Sequence, residues 1–290
     1  MASTNSTTIE LLKKYNFSIQ KKYGQNFLID DNILNGIVEA ADITRDDTVL
    51  EIGPGLGALT GFLCRAAGKV IAVEVDKMLI PILKESLQDY DNLTLINDDI
   101  LKVDIEQLIR EYGLTDSGSV KVVANLPYYI TTPIIMELLE KKRCIRSITV
   151  MVQKEVAERM QEGPGSKSYG ALSLAVQYYS EPNYVMTVSR HCFLPKPDVD
   201  SAVIRLDIYP EPERPVQVTD PDKMFRIIRA AFNQRRKTLV NSIANAQNLF
   251  FTKDAVVKAL TQMGKSETVR GEALSLADFA RLSDLLCITL

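Results

Sequence analysis

The chain has 290 residues, of which 46% are hydrophobic and 24% are charged, and these values are typical of a globular protein with about two domains. No apolar run approaches the ~18 residues that cross a membrane, and the polar amino terminus lacks the apolar core of a signal peptide, so we expect a cytoplasmic protein. Four separated cysteines without a C-x-x-C pair and a single histidine, His191, predict neither a disulfide framework nor a metal site.

The amino-terminal region predicts two helices around an ordered loop. Residues 9–15 have the pattern of a short amphipathic helix, whereas residues 21–28 are polar and aromatic without a clear period and predict the loop. Asp31 is expected to cap a second helix that runs to about residue 41.

From about residue 47 the pattern alternates between strands and helices. A strand at 48–52 is followed by a glycine turn and a helix at 58–67. Because strands that alternate with helices form parallel sheets, this pattern predicts an α/β fold with helices on both faces. The further predicted strands are 69–74, 93–97, 120–124 and 147–152, and an antiparallel pair at 183–189 and 201–208 closes the region.

A proline-rich linker at residues 209–215 ends the alternating pattern. Beyond it the strand pattern disappears, so we expect an α/β domain over residues 1–209 and a small, all-helical domain over residues 210–290. The predicted helices of the second domain are 221–232, 235–246, 253–263 and 275–286.

The glycine turn Gly53-x-Gly55-x-Gly57 fits two kinds of ligand, a dinucleotide or S-adenosylmethionine, since both require close approach of the backbone. Glu51, two residues earlier, distinguishes them. A carboxylate at this point would repel a pyrophosphate, whereas S-adenosylmethionine has no phosphate and carries an ammonium and a sulfonium. Glu51 therefore favours S-adenosylmethionine.

Acidic residues also end the next two strands. Glu74 is placed to accept hydrogen bonds from both hydroxyls of a ribose. Asp98 and Asp99 follow the third strand, where one carboxylate is placed to accept from an adenine amino group and Ile100 to pack on the ring. Since ligands of open α/β sheets bind at the carboxyl ends of the strands, these acids predict one cofactor cleft.

The turn Asn125-Leu126-Pro127-Tyr128 follows the fourth strand. Pro127 restricts its own backbone and that of Leu126, so that the Asn125 side-chain oxygen and a backbone carbonyl are held towards one point. Two uncharged acceptors beside an aromatic ring suit a planar exocyclic amine such as N6 of adenine. The alternative for these residues alone is a strand-to-helix turn with the tyrosine in the core.

Basic residues cluster in two places, although the formal net charge is −3. Contacts between such residues and phosphates would position a nucleic acid without reading its sequence. For any one of them, a solvated helix face is the alternative. The candidate phosphate-binding residues are Lys21, Lys22, Arg235, Arg236 and Lys237.

Together these stretches resemble the ribosomal RNA adenine N6,N6-dimethyltransferase family, and its bacterial small-subunit branch in particular. The similarity covers nearly the whole chain, and the last of its motifs favours that branch over relatives that methylate large-subunit RNA. The motifs are Tyr23-Gly24-Gln25-Asn26-Phe27-Leu28, Glu51-Ile52-Gly53-Pro54-Gly55-Leu56-Gly57, Glu74-x-Asp76, Asp98-Asp99-Ile100, Asn125-Leu126-Pro127-Tyr128-Tyr129, Phe193-x-Pro195-x-Pro197-x-Val199-x-Ser201 and Phe232-Asn233-Gln234-Arg235-Arg236-Lys237-Thr238-Leu239.

The resemblance implies a class I methyltransferase fold, Rossmann-like with a mostly parallel seven-stranded sheet, and S-adenosylmethionine as the methyl donor. It implies dimethylation of two adjacent adenosines in the hairpin loop near the 3′ end of 16S ribosomal RNA, in an immature 30S particle. We expect a monomer without a metal or a membrane. The expected cofactor-binding residues are Gln25, Asn26, Leu28, Glu51, Gly53, Gly55, Glu74, Asp99, Ile100 and Asn125, and the expected catalytic residues are Asn125, Leu126, Pro127, Tyr128 and Phe193.

Phe193 is the candidate for a second aromatic wall opposite Tyr128, and a core position under its proline-rich loop is the alternative. Three other functions stay open for the chain as a whole. They are a nicotinamide- or flavin-dependent oxidoreductase, a non-catalytic RNA-binding assembly factor on a methyltransferase fold, and a DNA adenine methyltransferase.

Overall fold

The computed structural model describes residues 4–112, 120–141 and 144–288, without the side chains of residues 21, 141 and 288. The chain forms two compact units. The first comprises Met1–Ala157 and Pro182–Ile208, and the second comprises Glu158–Glu181 and Tyr209–Leu290. The chain enters the second unit twice, and the predicted linker at residues 209–215 begins at the second of these entries, Tyr209. Residues 158–181, however, belong with the carboxyl-terminal helices and lie outside the predicted range 210–290.

The first unit has a central sheet and a separate two-stranded ribbon. Its helices are α1 (Thr4–Lys14), α2 (Asp31–Ala40), α3 (Ala58–Ala66), α4 (Ile80–Ser86), α5 (Ile105–Glu111), α6 (Thr131–Lys141) and α7 (Lys154–Gln161), the last of which continues into the second unit. The strands are β1 (Phe27–Leu28), β2 (Thr48–Ile52), β3 (Lys69–Glu74), β4 (Leu93–Asn97), β5 (Val120–Asn125), β6 (Ile145–Gln153), β7 (Ser180–Val188), β8 (Phe193–Leu194) and β9 (Ser201–Ile208).

The central sheet has seven strands in the order β4-β3-β2-β5-β6-β9-β7. The five strands from β4 to β6 in this order are parallel to one another, and β9 is antiparallel to β6. This topology confirms the predicted Rossmann-like methyltransferase fold. The strand order reverses between β2 and β5, and this switch point is where open α/β sheets bind their ligands.

The central strands were predictable because they are buried on both faces. Every residue of β2 is buried, as is every residue of β3 after Lys69. Such strands read as continuous apolar, β-branched runs. Four of the predicted strands, 48–52, 69–74, 93–97 and 201–208, have the observed bounds.

The amino-terminal predictions needed correction at three points. Helix α1 begins at Thr4, earlier than predicted, and the loop at residues 21–28 contains a 3-10 turn and the short strand β1. The cap of α2 is Asp30 and not Asp31, because the Asp30 side chain accepts from the backbone N–H groups of Asn32 and Ile33.

The second unit contains α8 (Ala171–Tyr179), α9 (Pro221–Asn233), α10 (Leu239–Ala244), α11 (Lys253–Gln262) and α12 (Leu276–Ile288). Aromatic contacts explain why residues 158–181 join it. The ring centroid of Phe225 in α9 lies 5.4 Å from that of Tyr178 and 5.3 Å from that of Tyr179. These rings bury apolar area between α8 and α9.

The helix predicted at residues 235–246 begins only at Leu239. Thr238 has an extended backbone and its side chain accepts from the Asn241 N–H, so it ends the preceding turn and caps α10. Arg235, Arg236 and Lys237 therefore lie in a turn and not on a helix face. Among the described residues, no helix combines the length and apolarity needed to cross a membrane.

Candidate active site

A cavity of about 280 Å³ lies at the carboxyl edge of the sheet, beside the switch point. It is lined by the loops that follow β2, β3, β4 and β5 and by the segment at residues 23–28. Nearly all the predicted site residues meet here. The lining includes Gln25, Asn26, Leu28, Glu51, Gly53, Gly55, Glu74, Asp99, Ile100, Asn125, Leu126, Pro127 and Tyr128.

The glycine turn is held by hydrogen bonds to the end of β3. The Gly53 N–H donates to the Val73 carbonyl at 2.9 Å, and the Gly55 N–H donates to Glu74 Oε2 at 3.1 Å. Gly53 and Gly55 have φ values of 67° and 61°, in the left-handed region that favours glycine. A Cβ at Gly53 would meet no atom within 4 Å, so the backbone here is open to a ligand.

Glu74 is buried at the end of β3, with each carboxylate oxygen bound to a backbone N–H. Oε1 accepts from Asp76 at 2.8 Å and Oε2 from Gly55. Burial raises the pKa of Glu74, and these two hydrogen bonds oppose the rise. A carboxylate has about four lone-pair sites, so Glu74 retains acceptor capacity for a ligand in the cavity.

Glu51 is the most deeply buried acid in the lining of the cavity. Its side chain is 1% exposed, and Oε2 has no hydrogen-bond partner among the described residues. Burial first, and then the nearby charge of Glu74, raise the pKa of Glu51 to about 8. Ionisation of this buried acid is costly, and a cationic ligand group would offset that cost. This supports the predicted preference for an ammonium or sulfonium over a pyrophosphate.

The third acid lies beyond β4. Asp99 is half-buried, its Oδ1 accepts from the Leu101 N–H at 3.1 Å, and its Oδ2 lies 3.7 Å from Lys102 Nζ. Ile100 is buried beside it and lines the cavity. The arrangement gives one face of the cavity an acceptor next to an apolar wall, as a purine edge and ring require.

Asn125 is the last residue of β5, and a hydrogen bond from its side-chain amide fixes the orientation of the side chain. Its Nδ2 donates to the Asn26 carbonyl at 3.1 Å, while Oδ1 accepts no hydrogen bond from the described part of the chain. The backbone N–H of Leu126 donates to the Met151 carbonyl at 3.1 Å, which fixes the turn against β6. The cavity thus has an uncharged oxygen whose direction is set before any ligand binds.

The Tyr128 ring is held by a hydroxyl contact across the sheet. Its hydroxyl lies 2.7 Å from Ser201 Oγ at the start of β9. The Pro127 carbonyl accepts from Thr131 Oγ1 at 2.9 Å, so the turn leads directly into α6. Tyr128 is half-buried and lines the cavity, as predicted.

Phe193 does not lie where a second aromatic wall was predicted. It is 4% exposed and does not line the cavity. In β8 it pairs with Leu28 of β1, and it packs in a core cluster with Leu34 and Val203. The alternative, a core residue beneath the proline-rich loop, describes its position.

Gln25 lines the cavity, but protein groups already occupy its amide. Its Oε1 accepts from the Gln20 N–H at 2.7 Å, and its Nε2 donates to Asp76 Oδ2 at 2.9 Å. Asp76 is 3% exposed. Gln25 therefore fastens the segment at residues 23–28 to the loop after β3.

The family model for ribosomal RNA adenine dimethylases matches residues 16–281, which is most of the chain. The chain belongs to this family. Ribosomal RNA small subunit methyltransferase A of Lachnoclostridium phytofermentans is 55% identical over 280 residues, which are 96% of this chain and 95% of that protein. The protein of the same name from Alkaliphilus metalliredigens is 50% identical, with 96% and 95% covered.

Two solved structures are similar over nearly the same length. A dimethyladenosine transferase from Plasmodium falciparum is 28% identical with a TM-score of 0.70, and 88% of this chain and 95% of that chain are covered. The 23S rRNA methyltransferase ErmE is 25% identical with a TM-score of 0.65, with 90% and 100% covered.

Membership of the family makes this chain an rRNA adenine dimethyltransferase that uses S-adenosylmethionine as methyl donor. The cavity fits that cofactor, because Glu51, a buried acid with one oxygen left unbonded by the described residues, suits its cation and the open glycine turn suits its close approach. The methyltransferase prediction is confirmed, and the oxidoreductase alternative is excluded. Among the described residues, no three His, Cys, Asp or Glu side chains are grouped to hold a metal ion.

The predicted phosphate-binding residues differ in whether other groups of the protein already bind their side chains. Arg235 donates to the Tyr169 carbonyl at 3.1 Å and lies 3.6 Å from Glu272 Oε2, so it is used within the second unit. Arg236 and Lys237 are exposed, and neither side chain has a hydrogen-bond or ion-pair partner among the described residues. Lys22 is exposed in the first unit, and the Lys21 side chain lies outside the described part of the chain.

Sequence reasoning missed two supporting residues, Ser201 and Asp76. Ser201 is fully buried and bonds Tyr128, and Asp76 holds Gln25. Both stand in the motifs that carry the family resemblance. The motifs could therefore have indicated their importance, but only the fold shows which side chains they hold.

Proposed function

We propose that this enzyme dimethylates N6 of two adjacent adenosines in the hairpin loop near the 3′ end of 16S ribosomal RNA. It acts in the cytoplasm, as a monomer, on an immature 30S particle. The observation that carries the proposal is the Asn125 amide, which is anchored through Nδ2 and presents an uncharged oxygen beside Tyr128. The small-subunit substrate is supported by 55% identity to a small subunit methyltransferase, against 25% to the 23S rRNA methyltransferase ErmE.

The acids bind the cofactor. Glu74 accepts hydrogen bonds from the ribose hydroxyls, Glu51 pairs with a cationic group, and Asp99 accepts from the adenine amino group while Ile100 packs on the ring. When bound, S-adenosylmethionine supplies a methyl group activated by its sulfonium. Because Glu51 and Glu74 are buried, their interaction with a cation is weakly screened by water.

Asn125 and Leu126 act on the target amine. The adenine N6 lone pair is delocalised into the ring, which makes the amine a poor nucleophile. Asn125 Oδ1 and the Leu126 carbonyl accept its two hydrogens and favour a pyramidal nitrogen with a localised lone pair. As the nitrogen becomes positive, these fixed dipoles stabilise the transition state more than the ground state. The proton leaves to water, so no basic side chain is required.

Tyr128 receives the flipped base. Removal of a base from its stack costs a few kcal/mol, and stacking on an aromatic ring recovers about 1–3 kcal/mol. The Ser201 hydroxyl keeps this ring in place. For the second methylation one acceptor contact is exchanged for a methyl group, while the stacking contact is kept.

The test uses tritiated S-adenosylmethionine and 30S particles from a strain that lacks this methylation. We expect the wild type to label 16S RNA as N6,N6-dimethyladenosine and Asn125→Ala to lose nearly all labelling. Asn183→Ala, on the edge strand β7, is the matched control and should keep wild-type activity. Labelling of 23S RNA, or an active Asn125→Ala variant with the wild-type rate, would contradict the proposal.

A further inference from the structure

The rim of the cavity is apolar as well as acidic. Among the described residues most large apolar side chains are buried, yet Val75 and Tyr129, which line the cavity after β3 and β5, are exposed. Met78 and Leu101, in the loops after β3 and β4, are exposed as well. Scattered exposed apolar residues are ordinary, but exposed apolar side chains in the lining of a binding cavity indicate contact with a partner. Tyr129, 59% exposed, is the aromatic member of this group.

The Tyr129 ring is supported on one side and open on the other. A Cβ placed on Gly24 would lie 3.2 Å from Cδ1 and 3.5 Å from Cε1 of Tyr129, so the tyrosine ring lies against the Gly24 backbone. Gly24 has a φ of 59°, a conformation that also favours glycine. The ring thus packs against backbone on one side, and its exposed area is available for stacking.

Tyr128 and Tyr129 are consecutive, but their rings lie on different sides of the turn. Tyr128 reaches Ser201 in β9, whereas Tyr129 lies on the segment that Gln25 fastens to Asp76. Both residues line the cavity. The turn therefore offers two aromatic rings from neighbouring backbone positions, and the proposed mechanism uses only the first.

A third tyrosine of the cavity lining, Tyr23, carries a cation over its ring. Lys22 is exposed, and its Nζ lies 4.5 Å from the ring centroid of Tyr23, which lines the cavity next to Gly24. Sites for single-stranded nucleic acid combine aromatic rings that stack on bases with cations that contact the backbone. The segment at residues 22–24 and Tyr129 together have that composition.

We propose that Tyr129 stacks on the base next to the target, so that the two tyrosines hold two consecutive nucleotides. The inference rests on the proposed function, which supplies two adjacent adenosines as the substrate. While N6 of one adenosine lies at Asn125, its neighbour stacks on Tyr129, and Lys22 contacts the phosphate backbone. Methylation of both adenosines then requires the pair to shift by one nucleotide between the rings.

The test compares 30S particles whose RNA has both adenosines with particles in which one of them is replaced by an abasic nucleotide. For Tyr129→Ala on intact particles we expect a KM for the particle about tenfold higher, and an unchanged Kd for the cofactor. Tyr129→Phe, which keeps the ring, should behave as the wild type. Tyr184→Ala on β7 is the control for loss of a tyrosine elsewhere in the first unit.

The abasic particles give the decisive result. Each adenosine is replaced in turn, and the particles that lack the base stacked on Tyr129 should raise the KM of the wild type about tenfold and that of Tyr129→Ala no further, because both changes remove the same contact. If the abasic nucleotide and Tyr129→Ala raise the KM independently, so that their effects multiply, the inference is overturned. A Tyr129→Phe variant that is as impaired as Tyr129→Ala would also overturn it. If the wild type methylates no small-subunit RNA in intact particles, the proposed function fails, and this inference fails with it.

Discussion

The two sides of the cavity differ in charge. The cofactor side carries three carboxylates, Glu51, Glu74 and Asp99, of which the first two are buried. The target side has only uncharged acceptors and an aromatic ring, from Asn125, Leu126 and Tyr128. Burial raises the pKa of both Glu51 and Glu74, so ionisation of either acid is costly for the protein alone.

This difference follows from when positive charge is present on each side. The cofactor is a cation before reaction, so full charges on its side contribute to binding. The target amine is neutral until the transition state, so oriented dipoles there act mainly on the rate. Substitutions on the two sides should therefore affect different kinetic constants, with the largest effect on the target side.

Substitution of Asn125 should have the largest effect. Asn125→Ala should lower kcat about 10²–10³-fold, the loss found when one preorganised donor or acceptor is removed, with little change in the Kd for the cofactor. Asn125→Asp should not restore activity, since it loses the bond from Nδ2 to the Asn26 carbonyl. Single-turnover methylation and calorimetry measure the two quantities. A fully active Asn125→Asp would show that the target side tolerates charge and would break the comparison.

Glu74→Gln should act on cofactor binding. It replaces an acceptor of two backbone hydrogen bonds by a neutral amide and weakens the contacts to the ribose. We expect the Kd for the cofactor to rise about tenfold or more, with kcat at saturation near the wild-type value. Calorimetric titration with S-adenosylhomocysteine and steady-state kinetics test this. A fall in kcat without a change in Kd would assign Glu74 to the chemical step.

Glu51→Gln should change the pH dependence of stability. Since burial raises the pKa of Glu51 from 4.5 to about 8, the folded protein keeps a proton there that the unfolded chain releases. The wild type therefore loses stability as the pH rises from about 4.5 to about 8, and Glu51→Gln does not. At pH 8 we expect the variant to melt roughly 10 °C higher without cofactor. At pH 4.5 the wild type and Glu51→Gln should have the same melting curve. The variant should also have a higher Kd for the cofactor than the wild type.

The basic turn of the second unit should give the smallest effect. Arg236→Ala and Lys237→Ala should each reduce the salt dependence of RNA binding by about one unit in the slope of log K against log salt, since their side chains are free among the described residues. Arg235→Ala is the informative control. Because Arg235 is bound to Tyr169 and Glu272, its loss should lower the melting temperature more than the salt slope. If Arg235→Ala instead changed the salt slope more than the melting temperature, Arg235 would be the residue that contacts a phosphate.

Local sequence patterns predicted the central strands and the glycine turn, but they did not predict every helix boundary. The central strands and the glycine turn follow from local patterns, because a strand buried on both faces is continuously apolar and a positive φ calls for glycine. The helix predicted from residue 235 was wrong at its start, because the capping hydrogen bond of Thr238 outweighed a helical pattern.

The amino-acid pattern was enough to predict the parallel sheet, and with it the three acids and the Asn125 turn at one edge, because strand order and local geometry carry each residue there. The roles of the remaining side chains depend on long-range contacts in the folded chain. Gln25 bonds Asp76 across 51 residues, Phe193 is buried against Leu28, and Tyr129 lies on Gly24. Such contacts join segments far apart in the chain, and a local pattern contains no information about which distant partner a side chain will meet.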